Sequence, residues 1–185
     1  MRQIGDRATE LRRDFDRSFA EPPRARRPPS IDLLAIRLGG DPHALRLSAI
    51  SGVFASKKLT PLPGASPDLL GIAGFRGSVV PVYDLRMLLG YPASDRPRWL
   101  VVAAAQPVAL AFEGLDGYLR LPLDRIARPE QPHASRAHVH ELARVADPRT
   151  PAQAPRPLVD LDSIVAAIRL RVRDNLPLQQ RERKE

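Results

Sequence analysis

The sequence predicts an all-β fold made of small antiparallel barrels, with helices at the two ends of the chain. Apolar runs of strand length recur at intervals of about 8 to 12 residues, separated by Gly, Pro and Asp, a spacing typical of sandwiches and barrels. Proline accounts for 20 of the 185 residues and interrupts the chain too often for many long helices. Helical periodicity occurs only near the termini, which favours antiparallel strands over a parallel α/β sheet.

An amphipathic helix is predicted for residues 3–20. Apolar residues at steps of three and four place one apolar face on it, formed by Ile4, Ala8, Leu11, Phe15 and Phe19. Residues 21–30 contain four prolines, which end the helix and favour an extended linker. Two interpretations stay open: the helix folds back on its own domain, or it docks on a partner through Leu11, Phe15 and Phe19.

A hairpin is predicted for residues 31–55. The first strand occupies 31–40 and ends in Gly-Gly, and the second occupies 41–55 and begins with the turn signal Asp-Pro. A connector punctuated by proline follows at residues 57–70.

The run LLGIAGFRGSVVPVYDLRMLLG, residues 69–90, predicts a strand, a tight turn, a second strand and a short helical turn closed by glycine. Pro81 has no N–H to give to a ladder, so the second strand is expected to place it at an edge or a bulge. Arg76 lies in the turn, flanked by Gly74 and Gly77 at close spacing.

A second hairpin is predicted from residues 97–105 and 108–121. Gly114 and Gly117 in its second strand indicate kinks or bulges of the kind that curve a small barrel.

The C-terminal part predicts two more strands and a helix. The strands are expected at 139–147 and 158–163, and the helix at 164–176. Asp162 or Ser163 is expected to cap the helix.

The net charge of +8 raises nucleic-acid binding as one alternative. The excess lies mostly at the two ends of the chain, because residues 31–168 are nearly neutral. Of the 29 basic residues nearly all are Arg, which together with the high Ala and Pro content indicates a GC-rich genome. The body also offers few aromatic side chains for stacking bases, so a basic nucleic-acid-binding barrel remains the weakest of three alternatives.

No catalytic, cofactor or metal signature emerges from the residues. The chain has no Cys, its serines lack a G-x-S-x-G context, and its glycine spacing at 71–77 fits neither a dinucleotide fold nor a P-loop. His133, His138 and His140 cluster in a Pro- and Ala-rich stretch that is typical of a solvated loop. We therefore predict a binding module with no enzyme activity, no cofactor and no metal.

The sequence predicts a cytoplasmic protein that does not insert into a membrane. No run approaches the roughly 20 apolar residues of a membrane span, and the charged N-terminus does not resemble a secretory signal. The lack of Cys also fits a reducing compartment.

Residues 69–90 resemble the signature of the CheW-like domain, which occurs in the chemotaxis coupling protein and in the regulatory domain of its histidine kinase. The family pattern is roughly G-hydrophobic-x-N-L-R-G, a hydrophobic run containing proline, then D-L-R-x-x-L-G. The matching residues are Gly71, Arg76, Gly77, Pro81, Asp84, Leu85, Arg86, Leu89 and Gly90. The similarity extends over about 31–170.

The resemblance implies two five-stranded antiparallel β-barrel subdomains within 31–170. The residues outside this range predict an amphipathic helix and linker in 1–30, and the end of the C-terminal helix with a charged tail in 171–185. It also implies a non-catalytic adaptor that couples a chemoreceptor-type helical hairpin to the regulatory domain of a histidine kinase. The alternative is an assembly protein of the same fold, outside chemotaxis, that docks through its N-terminal helix.

The resemblance further implies which residues meet partners. Ile50, Gly52, Gly71 and Arg76 would lie at the receptor surface, and Val53 and Phe54 would form a kinase or partner face. Motif residues with a structural role would be Gly77, Pro81, Asp84 and Leu85. For Arg76 two roles stay open: its planar guanidinium contacts a partner, or it is held internally, for example by Asp84.

The chain departs from the family pattern at four positions. Gly74 and Phe75 replace the usual Asn and Leu before the Arg-Gly pair, and Gly52 stands where an acidic residue is common. Glu113 replaces the usual Asp of an acidic-x-hydrophobic step.

Overall fold

The computed structural model describes residues 28–93, 97–128, 137–145 and 155–182, with side chains described as far as residue 173. The chain divides into two compact units, Met1–Ser30 and Ile31–Glu185. The predicted docking residues Leu11, Phe15 and Phe19 lie outside the described residues.

The described part of the chain contains eleven strands and two α-helices, besides two short 3-10 turns. In chain order they are β1 (Ser30–Leu38), β2 (Asp41–Arg46), β3 (Ile50–Ala55), β4 (Leu69–Phe75), β5 (Ser78–Asp84), α1 (Leu85–Leu88), β6 (Trp99–Ala103), β7 (Ala109–Phe112), β8 (Gly114–Pro122), β9 (Ile126–Ala127), β10 (Val139–Ala143), β11 (Arg156–Val159) and α2 (Leu161–Glu182). No helix in these described ranges is long and apolar enough to cross a membrane.

The strands form two sheets, which confirms the all-β class. One sheet has six strands in the order β8-β1-β2-β11-β10-β9, and the other has five in the order β3-β6-β7-β5-β4. Most pairs are antiparallel, but β11 pairs with β2 and β5 pairs with β7 in parallel. The resemblance implied five antiparallel strands in each subdomain, so the six-stranded sheet and the two parallel pairs refine that picture.

The five-stranded sheet curls until its two edge strands meet. Phe54 on β3 and Phe75 on β4 lie at opposite edges of the sheet, yet their ring centroids are 4.8 Å apart in an edge-to-face contact. Alternate side chains of β6 point to opposite faces, with Val101 in one core cluster and Leu100 in another. The second cluster therefore fills the inside of a small barrel.

Two predicted strands are each split in the structure. Residues 41–55 are interrupted by a 3-10 turn at Leu47–Ala49, and residues 108–121 are interrupted at Glu113. At each break the chain leaves one sheet and enters the other. Both halves of each segment have the apolar pattern of a strand. Because this pattern is the same in either sheet, the sequence did not indicate that the chain passes from one sheet to the other.

Pro81 lies beside a bulge, although β5 is an interior strand. It pairs with Ile72 of β4, and the pairing with β7 begins one residue later, at Val82. The register of β4 shifts between Leu69 and Gly71, close to this position. The missing N–H of proline therefore falls where the ladder to β7 has not yet begun.

Helix α2 packs on the largest core cluster through residues of its first two turns. Leu161, Ile164, Val165 and Ile168 are each at most 4% exposed. Its cap is Asp160, whose carboxylate accepts a hydrogen bond from the Ser163 N–H at 3.1 Å. The predicted caps Asp162 and Ser163 were therefore wrong, because the helix begins three residues earlier than the apolar periodicity indicated.

An ion-pair network joins three strands of the six-stranded sheet. Asp116 on β8 accepts a hydrogen bond from Arg37 of β1 at 2.8 Å and another from Arg156 of β11 at 2.9 Å. Burial by itself opposes ionisation of Asp116, but the hydrogen bonds and positive charges of the two arginines outweigh it and lower the pKa of this carboxyl.

Candidate functional site

The turn between β4 and β5 holds Arg76 in a left-handed backbone conformation. Phe75 pairs with Ser78, so Arg76 and Gly77 form a two-residue hairpin turn. Both have positive φ, 47° and 85°, as a type I′ turn requires. The turn therefore presents Arg76 at the tip of the hairpin, where its side chain is exposed.

A groove of about 320 Å³ opens beside this turn. Three segments form it: β3, the β4–β5 hairpin, and the end of β6 with the loop that follows. The described residues that line it are Ser51, Phe54, Phe75, Arg76, Ser78, Val80, Val102, Ala103, Ala104, Ala105, Gln106 and Pro107. We call it the Arg76 groove.

Aromatic rings form part of the wall of the Arg76 groove. Phe54 and Phe75 are the two rings that meet across the open side of the curled sheet. The Lys57 ammonium lies 5.4 Å from the centroid of Phe54 and 5.5 Å from that of Phe75, within the range of a cation–π contact with both.

Arg76 makes no ion pair or hydrogen bond with any other described residue. The internal role that the sequence left open, a bridge to Asp84, is not formed. Asp84 is fully buried, and its carboxylate accepts a hydrogen bond from the Arg86 N–H at 2.9 Å, which caps α1. In this structure the guanidinium of Arg76 is therefore available to a partner.

Gly71 serves the packing of the sheet. It is buried, and a Cβ at this position would lie 2.3 Å from the Thr60 carbonyl oxygen. Its φ of 140° also disfavours any other residue. The connector lies against β4 here, because Thr60 and Ile72 exchange two backbone hydrogen bonds of 2.9 Å. We therefore remove Gly71 from the predicted receptor surface.

The other predicted surface residues divide between the groove and the core. Phe54 and Arg76 line the groove together. Ile50 and Val53 are half-buried and pack against the largest core cluster, so they attach β3 to that core. Leu85 is fully buried, and Gly77 completes the turn.

A family model described as the CheW-like domain matches residues 32–169. The chain belongs to the CheW-like domain family. The match covers β1 to β11 almost completely and reaches into α2, so it includes the Arg76 groove and both sheets.

Two curated relatives of this CheW-like chain are each named Chemotaxis protein CheW. The relative from Rhizobium meliloti (strain 1021) is 29% identical over 75 residues, which is 40% of this chain and 48% of the relative. The one from Bacillus subtilis (strain 168) is 28% identical over 74 residues, 38% of this chain and 47% of the relative. The matched segment thus spans about half the length of these relatives.

A solved structure shows the same fold. The crystal structure of scaffolding protein TtCheW from Thermoanaerobacter tengcongensis superposes with a TM-score of 0.60 at 15% identity, covering 72% of this chain and 90% of that one.

Two separate parts of the CheW-like signature meet in space. Arg86, from the D-L-R motif, donates a hydrogen bond to Glu113 at 2.8 Å, and the second Glu113 oxygen accepts one from the Gly39 N–H at 3.3 Å. Sequence reasoning singled out both residues but did not join them, because they lie 27 positions apart. The pair links α1 to the point where the chain passes from β7 to β8.

In this CheW-like domain the ring of Phe54 occupies the space that a side chain at position 52 would need. A Cβ on Gly52 would lie 2.8 Å from the ring of Phe54. Gly74, in contrast, is exposed, and a Cβ there would have no atom within 4 Å. Of the two glycines that depart from the family pattern, Gly52 has a packing reason in the structure and Gly74 has none.

Proposed function

We propose that this chain is a non-catalytic adaptor that couples a chemoreceptor-type helical hairpin to the regulatory domain of a histidine kinase. The observation that carries the proposal is the CheW-like domain match over residues 32–169. The names of the curated relatives and the scaffolding description of the structural neighbour support it.

The chemistry of the Arg76 groove supports binding rather than catalysis. Its described lining consists of apolar side chains, two serines, one glutamine and one arginine, and none of these is a general base at neutral pH. Among the described residues, no three His, Cys, Asp or Glu side chains are grouped so that they could hold a metal ion. A groove with an exposed, unpaired arginine suits recognition of another protein.

The proposed place of action is the cytoplasm, beside membrane-bound receptor arrays. A chemoreceptor-type hairpin and a histidine kinase regulatory domain meet there, and the adaptor needs no membrane segment of its own to contact both.

Calorimetric titration tests the proposal directly. The full chain is titrated with the kinase regulatory domain and, separately, with the receptor hairpin, both taken from the same genome. We expect saturable binding of each at micromolar concentrations. If the full chain binds neither of them, the adaptor function is wrong.

Arg76→Asn tests the part of the Arg76 groove in this binding. Asn tolerates positive φ, so the turn should be kept while the guanidinium is lost. We expect weaker hairpin binding with an unchanged melting temperature. A large loss of stability instead would indicate that Arg76 acts in the fold.

The amphipathic pattern of residues 3–20 favours a second candidate function, in which the chain is an assembly protein that docks through Leu11, Phe15 and Phe19. Deleting residues 1–30 separates the two candidates. The adaptor function predicts that binding of the hairpin and of the kinase domain survives the deletion. The assembly function predicts that binding to its partner is lost while residues 31–185 stay folded.

A further inference from the structure

The Arg76 groove has an apolar wall and a positively charged rim. Phe54, Phe75, Val80 and Val102 supply the wall, and Arg76 is the one charged side chain among the described lining residues. Lys57 adds a second cation over the two rings. No carboxylate belongs to the described lining, so the rim is cationic and has no counter-charge of its own there.

Gly52 explains why the wall is aromatic at one side. The ring of Phe54 occupies the space that a side chain at position 52 would need, since a Cβ there would lie only 2.8 Å from the ring. An acidic residue is common at this position in the family pattern. In this chain position 52 supplies no carboxylate, and the ring of Phe54, which lines the groove, fills the space beside it.

We propose that the Arg76 groove selects a partner segment in which an apolar side chain lies next to an Asp or Glu. The apolar side chain would pack on Phe54 and Phe75, and the carboxylate would bind the guanidinium of Arg76. This inference rests on the proposed function and adds to it the chemistry of the partner.

The physical basis is charge complementarity in a partly apolar setting. Arg presents five N–H donors in a planar fork that matches a carboxylate in two-point geometry. The type I′ turn fixes the backbone of Arg76, so little backbone freedom is lost when a partner binds. The ammonium of Lys57 raises the positive potential at the same rings and favours an acidic segment over a basic one.

A double-mutant cycle with the receptor hairpin tests the proposal. Arg76→Gln in the full chain is combined with each Asp→Asn and Glu→Gln change in the hairpin, one at a time. We expect Arg76→Gln to weaken binding about fivefold to tenfold, and one hairpin carboxylate to show a similar loss that disappears in the Arg76→Gln background.

The matched control is Arg125→Gln, which removes the same charge from an exposed residue outside the groove. We expect it to leave the affinity nearly unchanged. If the hairpin binds normally and none of its carboxylates is coupled to Arg76, or if Arg125→Gln weakens binding equally, the proposal is overturned while the adaptor function stands.

A second experiment does not depend on the identity of the partner. Two short acetylated peptides, Ala-Leu-Leu-Glu-Leu-Ala and the same peptide with Gln in place of Glu, are titrated into the full chain and followed by amide NMR shifts. We expect the Glu peptide to shift the groove residues and the Gln peptide to shift them much less. Equal shifts from both peptides, or none from either, would overturn the proposed selectivity. This outcome does not depend on whether the receptor hairpin binds.

Position 52 provides a further matched pair. Gly52→Glu and Gly52→Gln displace the Phe54 ring to the same extent, but only the first adds a carboxylate near the groove. We expect Gly52→Glu to weaken binding of the Glu peptide more than Gly52→Gln does. Equal effects of the two changes would count against the charge-based part of the proposal.

Discussion

Arg86 and Glu113 form an ion pair of 2.8 Å in which both side chains are largely shielded, with 18% and 23% of their surfaces exposed. Arg86 lies in α1, the helical turn that follows β5, and Glu113 lies between β7 and β8. The pair therefore ties the helical turn α1 to one of the two places where the chain changes sheets.

Glu113→Gln should destabilise the fold by about 1–2 kcal/mol, because it removes the charge opposite a shielded arginine. The Nε atom of Arg86 is buried and already lacks a hydrogen-bond partner among the described residues. The loss of the Glu113 carboxylate would therefore leave this guanidinium with a further unsatisfied donor. Urea denaturation followed by circular dichroism measures the change. Asp124→Asn, at an exposed residue with no described ion pair, is the control, and an equal loss there would contradict this account.

Asp116 should make the stability of the fold depend on acid. Its pKa in the folded chain lies below the value in the unfolded chain, so its stabilisation is complete above about pH 4. That stabilisation is lost as the pH falls from there through the folded pKa. Asp116→Asn should lower the free energy of unfolding by about 1 kcal/mol at neutral pH and make it depend less on pH below about pH 4. Urea midpoints measured over a pH series test it, and parallel curves for the two proteins would refute the assignment.

Gly71→Ala should be strongly destabilising, by about 2–4 kcal/mol, because the new Cβ would meet backbone atoms of Thr60 and Pro61 at a positive φ. Gly74→Ala, on the same strand, is the matched control and should change stability by at most about 0.5 kcal/mol. Thermal melts of both variants decide the matter. Similar losses at the two positions would mean that strand propensity, and not the close approach to Thr60, sets the requirement for glycine.

Asp160→Ala should destabilise α2 by about 1 kcal/mol, since its carboxylate caps the Ser163 N–H. Asp162→Ala should have a smaller effect, about 0.3–0.5 kcal/mol, through the helix dipole alone. Denaturant midpoints of the two variants can be compared directly. The reverse order would restore Asp162 as the cap.

Local features of residues 69–90 could be read from the sequence, because neighbouring residues determine them. Alternation of apolar residues marks β4 and β5, and Gly77 permits a two-residue turn between them. The all-β class followed in the same way from strand-length runs and frequent prolines. These inferences use short-range rules of backbone geometry, which hold whatever the rest of the chain does.

Long-range relationships could not be read in this way. The contact of Phe54 with Phe75 depends on how far the sheet curls, and the pair of Arg86 with Glu113 depends on which strands become neighbours. The buried position of Gly71 follows from the path of the connector over β4. Resemblance alone assigned Gly71 to a surface, because a motif does not distinguish a glycine needed for packing from one that admits a partner.

The sheet changes described above determine the order in which the strands of each sheet are synthesised. The five-stranded sheet uses one uninterrupted stretch, β3 to β7, and all its strands have been made once the ribosome has passed Phe112. In the six-stranded sheet, β1 and β2 are made first, but β2 pairs with β11, which is made among the last strands. Because chains are synthesised from the N-terminus, the half of the domain that carries the Arg76 groove can fold while β1 and β2 still wait for their remaining neighbours.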